Sequence, residues 1–163
     1  MSSARHIVPL DRLAEEIDKL RRSGHKIALA NGLFDILHVG HLRYLEAARA
    51  LADVLVVAVN SDRSVRQVKG PGRPIIPERE RAELLAGLRC VDYVVVFDEP
   101  DVRAVIRALR PHFHVKGTDY ALENVPEREE VERCGGEVRI AGDSKAHSTT
   151  EVLRKIQEGN RGT

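Results

Sequence analysis

Residues 31–41 read Asn-Gly-Leu-Phe-Asp-Ile-Leu-His-Val-Gly-His, NGLFDILHVGH, and the way the chain enters and leaves them decides the fold. The apolar run KIALA at 26–30 leads in. LRYLEAARALA at 42–52 leads out, with Leu42, Leu45, Ala48 and Leu51 at helical spacing, and a second apolar run, DVLVVAVN, follows at 53–60. This is strand, helix, strand. Apolar runs without alternation predict strands covered on both faces, and a crossover helix makes the pair parallel.

The same alternation extends outward in both directions. Upstream, Leu10, Leu13, Ile17 and Leu20 recur at helical spacing ahead of Ser23-Gly24, which predicts an amphipathic N-terminal helix. Downstream, PERERAELLAGL reads as a helix, DYVVVF as a strand, PDVRAVIRAL as a helix stopped before Pro111, and HFHVKG as a strand. PEREEVERCGG then reads as a short helix ended by paired glycines, EVRI as a last strand, and STTEVLRKIQE as a closing helix with hydroxyls in its first turn. The expected fold is an open, doubly wound parallel α/β sheet of about five strands, Rossmann-like. Residues 1–163 are expected to form one domain, with a leader and helix over 1–24 and an α/β core over 25–158 that would carry any active site. In such sheets ligands bind beyond the carboxyl ends of the strands. NGLFDILHVGH lies there, as do the polar segments NSDRSVRQVKGPGRP, VKGTDY and AGDSKAHSTT, each read as a loop on one rim.

Composition narrows the function. Hydrophobic residues at 42% and charged residues at 31% fit a soluble globular chain without a bilayer-spanning run, so a membrane protein is excluded and a cytoplasmic location expected. A net charge of +1 supplies no field for nucleic acid, and three Tyr, three Phe and no Trp leave too few rings to stack bases. Cys90 and Cys134 stand apart, which argues against a disulfide framework or a zinc knuckle.

His38 and His41 bracket Gly40 where a strand gives way to a helix. Gly40 lets backbone approach a ligand, the first-turn N–H groups face the same point, and two imidazoles there suit phosphate oxygens. A phosphate floor is the first reading, structural histidines the second, and zinc the third, because only Asp35 lies near as a further ligand. Asp35 also suits the capping of the HVGH turn by accepting backbone N–H groups. Lys69, in VKGPGRP, is either a solvated turn residue or a phosphate contact on a Gly/Pro loop. Arg81 sits in a charged helix face with Arg79 beside it. Ser148, Thr149 and Thr150 open the last helix and can cap it while binding an anion.

With its HxGH signature, the following VNSD and the terminal STT, the chain from about Lys26 to Ile156 resembles the nucleotidyltransferase superfamily. FDILHVGHLRYL, VAVNSDRSV, GRPIIPERERAELL, VDYVVVFDE, VKGTDY and STTEVLRKI are together most similar to the D-glycero-β-D-manno-heptose 1-phosphate adenylyltransferase family. Two departures stand out: Ala30 where the family has Thr, and Thr118 where it has Gly.

The resemblance implies AMP transfer from ATP to the heptose 1-phosphate, giving ADP-heptose and pyrophosphate. It implies Mg²⁺ held mainly through the ATP phosphates, no metal-ligating protein residues, a homodimer, and a separate sugar kinase and phosphatase. His38, His41 and Lys69 are the implied catalytic residues. Asn31, Gly32, Phe34, Asp35, Gly40, Arg81, Lys116, Gly117, Ser148, Thr149 and Thr150 are the implied nucleotide contacts, and Asp35, Lys69 and Asp119 the implied sugar-phosphate contacts. Alignment on VDYVVV selects Arg81 over Arg79. A cytidylyltransferase acting on glycerol 3-phosphate or another small phosphorylated alcohol, and a nucleotide-binding module without turnover, are the alternatives.

Overall fold

The computed structural model of the protein describes residues 6–144 and 147–160. Five strands, β1 (Ile27–Gly32), β2 (Val54–Asn60), β3 (Tyr93–Phe97), β4 (Phe113–Lys116) and β5 (Glu137–Ile140), form one parallel sheet in the order β3-β2-β1-β4-β5. The helices are α1 (Leu10–Arg22), α2 (Val39–Ala50), α3 (Asp62–Lys69), α4 (Glu78–Ala86), α5 (Arg103–Leu109), α6 (Arg128–Arg133) and α7 (Thr149–Asn160).

Alternate side chains of the central strands feed two separate cores, as the period of a strand dictates. Ile27 and Leu29 of β1 and Val54, Val56 and Ala58 of β2 pack with Leu13 and Ile17 of α1 and Val105, Ile106 and Leu109 of α5. Ala28 and Ala30 of β1 and Leu55, Val57 and Val59 of β2 pack with Leu45 and Ala48 of α2 and Ala82 and Leu85 of α4. All seven residues of β2 are buried, the consequence of covering both faces. Ahead of α1, Ile7 bridges Val94 and the Val8 N–H donates to the Val94 carbonyl at 2.9 Å, so this part of the expected leader lies along the edge of β3.

The chain runs outward from β1 through β2 to β3 and then crosses back to β4 on the other side of β1. Strand order therefore reverses between β1 and β4, where a doubly wound sheet opens a crevice at its carboxyl edge.

One expected loop is a helix. Asp62–Lys69 is almost entirely polar, yet Ser61 caps it by accepting the Ser64 N–H at 3.1 Å, and Ser64 and Val65 are buried. The cap and two inward residues start a helix that the apolar pattern alone did not signal.

Candidate active site

A cavity of about 430 Å³ opens at the β1/β4 crevice and extends toward the ends of β2 and β3, where Asn60, Phe97 and Asp101 line it. Asn31, Gly32, Phe34, His38, Gly40, His41, Lys116, Gly117, Asp119, Ser148 and Thr149, all expected site residues, line it together. Asp35, Lys69, Arg81 and Thr150 do not.

The histidines sit at the start of α2. His38 is its N-cap in extended conformation, and its ring stacks on that of His41 with centroids 3.8 Å apart. His41 Nδ1 accepts the backbone N–H of His38 at 3.3 Å, so in the neutral ring the proton lies on Nε2. His38 Nδ1 is buried without a hydrogen-bond partner; a proton there would bond to nothing, which again leaves Nε2 as the N–H. Burial, with the nearby His38, pulls His41 down to about 4. Burial and then His147 pull His38 below the ordinary histidine value, while Glu151 opposes them. Near pH 7 the pair is therefore two neutral donors beside the positive end of a helix.

Gly40 is required by the packing of these side chains. A Cβ at this position would stand 2.9 Å from His38 Nδ1 and 3.3 Å from the His147 Cβ. Phe34, at a φ of 49°, turns its ring edge to His41 at 5.3 Å. The stretch between β1 and α2 thus accepts a left-handed residue to wall the histidines in.

The end of β4 supplies a second polar cluster. His114 is fully buried; its Nε2 donates to Asn31 Oδ1 at 2.9 Å, and burial together with Lys116 brings it to about 3. Lys116 Nζ donates to the same oxygen at 3.4 Å, lies 4.5 Å from the Tyr120 ring centroid and 3.9 Å from Glu127 Oε2. Burial pulls the Lys116 ammonium below its ordinary value, and the Glu127 and Asp119 charges oppose it. Because Oδ1 of Asn31 is engaged from below, its amide NH₂ is the end left to meet a ligand.

At the opening of α7, the Ser148 hydroxyl accepts the Glu151 N–H at 3.1 Å, and Thr149 lies beside it against the Ile36 carbonyl at 3.5 Å. The expected capping by these hydroxyls is present, and Ser148 and Thr149 still face the cavity. Thr150 is exposed. Of the AGDSKAHSTT segment, Lys145 lies outside the described residues, and Asp143 is exposed and pairs with Arg43 at 2.9 Å.

Two expected contacts have other work. Arg81 is fully buried and donates through Nε to the Ile76 carbonyl at 2.8 Å, through Nη1 to the carbonyls of Leu33 at 2.6 Å and Asn60 at 2.8 Å, and through Nη2 to Asp62 Oδ1 at 2.8 Å. It ties the carboxyl ends of β1 and β2 together instead of facing a phosphate. Asp62 and Glu78 complete the brace by reciprocal capping, each carboxylate accepting the other's backbone N–H, at 2.6 and 2.8 Å.

Asp35 is buried and accepts the N–H groups of Ile75 and Ile76, each at 2.9 Å, and Arg73 Nε at 2.7 Å. Burial alone would raise its carboxyl, but these donors outweigh it and hold the group below the ordinary carboxylate range. The turn it caps is 73–76, not HVGH. Lys69 ends α3, exposed, with its neighbour Val68 on the cavity wall.

Tyr44, Glu127 and His147, none of them among the expected site residues, also line the cavity, and His114 lies beneath it. A histidine between Phe113 and Val115 in a strand covered on both faces is a signal that could have found His114. Glu127, in a run of charges, carries none.

A model of the cytidylyltransferase-like family matches residues 29–156. This chain belongs to the cytidylyltransferase-like family. Among curated relatives, the bifunctional protein HldE of Citrifermentans bemidjiense is 49% identical over 147 residues, covering 90% of this chain and 30% of that protein. The bifunctional protein HldE of Geobacter sulfurreducens is 48% identical over 147 residues, with the same coverage. The chain thus spans about a third of the length of these relatives. A crystal structure of the lipopolysaccharide core biosynthesis protein from Thermoplasma volcanium GSS1 superimposes with a TM-score of 0.63 at 31% identity, covering 76% of this chain and 100% of that one. Membership in the cytidylyltransferase-like family makes the protein a nucleotidyltransferase. Among the described residues, no group of three or more His, Cys, Asp or Glu side chains could cage a metal ion, and no helix is long and apolar enough to cross a membrane.

Proposed function

We propose that the protein transfers AMP from ATP to D-glycero-β-D-manno-heptose 1-phosphate, releasing pyrophosphate and giving ADP-heptose, in the cytoplasm where ATP is available. The observation that carries this reading is the stacked, neutral His38–His41 pair on the wall of a cavity at the β1/β4 crevice. The choice of acceptor is supported by the motif resemblance to the heptose family, by the HldE relatives, and by the likeness to a lipopolysaccharide core biosynthesis protein.

In this reading an oxygen of the sugar phosphate attacks the α-phosphorus of ATP in line. The new bond joins that oxygen to the α-phosphorus, the α–β bridging bond breaks, and its electrons leave with pyrophosphate. His38 and His41 donate Nε2–H bonds to phosphate oxygens whose charge grows in the transition state. Ser148, Thr149 and the first-turn N–H groups of α7 receive the distal phosphates. Asn31 offers its amide NH₂, and Lys116 supplies positive charge at the floor. Lys69, exposed at the end of α3, offers a further positive charge for the phosphates. Mg²⁺ held mainly through the ATP phosphates would supply charge neutralisation there.

The test is incubation with ATP, the heptose 1-phosphate and Mg²⁺, followed by mass spectrometry for ADP-heptose. His38→Asn and His41→Asn should each lower kcat by roughly a hundredfold or more. Variants within a few-fold of the parent would remove the histidines from the chemistry.

A further inference from the structure

We infer that Glu127 is a specificity-determining residue that, with Lys116, binds a hydroxyl group of a substrate. Glu127 lines the cavity yet is 6% exposed, and its Oε2 is buried without a hydrogen-bond partner. A buried carboxylate oxygen left unpaired is costly unless something else meets that carboxylate.

Lys116 does not complete that carboxylate. A charge-assisted N–H···O bond closes to about 2.7–2.9 Å, whereas Lys116 Nζ stands 3.9 Å from Oε2, drawn toward Asn31 Oδ1 and the Tyr120 ring. The separation selects the ligand chemistry. One oxygen that accepts from Nζ and donates to the carboxylate, with each bond about 2.8 Å long, sees partners 3.9 Å apart at an angle of roughly 90°. A hydroxyl meets both demands in a single atom; an amino group on a nucleobase donates but does not accept. The terminal torsion of a glutamate is soft, so either carboxylate oxygen can turn to the ligand. Tyr120, also on the cavity wall, has its ring centroid 4.5 Å from Lys116 Nζ, so an aromatic surface borders the same point.

Two hydroxyl sources are available under the reaction proposed above, on which this inference rests: the ribose of the nucleotide and the acceptor sugar. The experiment measures KM for ATP and for the heptose 1-phosphate in the parent and in Glu127→Gln, with Tm recorded for both. Loss of a hydrogen bond to a charged group predicts a rise of roughly ten- to a hundredfold in one of the two KM values, with kcat within about threefold.

If the ATP value rises, 2′-deoxy-ATP or 3′-deoxy-ATP given to the parent should lose the same factor, and E127Q should discriminate ATP from that analogue no longer. If the acceptor value rises, a deoxy sugar 1-phosphate should behave likewise. These parent measurements need no variant to fold. A parent that does not turn over sinks the proposed reaction, and the comparison then passes to equilibrium binding of ATP and of the heptose 1-phosphate by parent and E127Q. Unchanged KM or binding for both compounds, with Tm alone lowered, overturns the inference and leaves Glu127 as a counter-ion for Lys116.

Discussion

Replacing Arg81 by Met removes a guanidinium that serves four acceptors in a fully buried position: the carbonyls of Ile76, Leu33 and Asn60 and the carboxylate of Asp62. Met keeps most of the volume, so the loss is electrostatic and not a cavity. Taking away the buried guanidinium leaves three carbonyls and the partly exposed Asp62 carboxylate uncompensated, at a cost of about 3–5 kcal/mol. A domain of this size moves by roughly 2–4 °C in Tm per kcal/mol, so the expected fall is roughly 6–20 °C. Activity falls with it, since the Leu33 and Asn60 carbonyls that Arg81 holds belong to residues lining the cavity. Differential scanning calorimetry and steady-state kinetics on the same preparation separate the two possible jobs. Arg81→Lys, with three donors on a flexible stem, should recover part of the Tm. An Arg81→Met protein that keeps its Tm within about 2 °C while its KM for ATP rises tenfold or more would refute the brace and restore Arg81 as a phosphate ligand.

Further predictions test other parts of the site. Gly40→Ala puts a methyl 2.9 Å from His38 Nδ1, so the ring must move; kcat should drop roughly a hundredfold while circular dichroism stays that of the parent, and an unchanged kcat would contradict the packing argument. His114, at about 3 when folded against about 6.5 unfolded, binds its proton in the unfolded state first, so its contribution is complete above about pH 6.5 and shrinks as pH falls. Urea unfolding at pH 7.5 and pH 5.0 should show the parent losing about 2 kcal/mol more than His114→Asn, and equal losses would mean that His114 accepts a proton in the native fold. His41, at about 4 when free, should titrate higher by proton NMR once ATP is bound, because phosphate charge favours the imidazolium; no shift would take the phosphates away from its ring.

Much of the fold was legible because β1, β2 and the segment leading into α2 carry strong periodic patterns. Leu13 and Ile17 of α1 and Leu45 and Ala48 of α2 are buried where spacing put them. Leu51, assigned to the same apolar stripe, falls just beyond α2 and is 39% exposed. Helix α3 was missed because DRSVRQVK reads as polar and its start depends on one serine cap.

The site was legible where a motif concentrates it, in His38, Gly40, His41 and the Ser148–Thr149 opening. Arg81 and Asp35 were harder. A charge in PERERAELL resembles a solvated helix face, and only the fold shows that three backbone carbonyls converge on it. Asp35 was correctly suspected of accepting backbone N–H groups, but its donors lie 40 and 41 residues away, beyond any local pattern. Lys116 at the end of β4 and Glu127, the residue just ahead of α6, meet across the intervening residues 117–126, a pairing that spacing does not encode.

The measurement that tests the central claim most directly is pyrophosphate release by the purified protein with Mg²⁺ and D-glycero-β-D-manno-heptose 1-phosphate, with ATP, CTP, GTP and UTP offered in parallel. The account predicts rapid release with ATP and little with the other three. Release with CTP in place of ATP, or none from any nucleotide until a different phosphorylated alcohol is supplied, would contradict it.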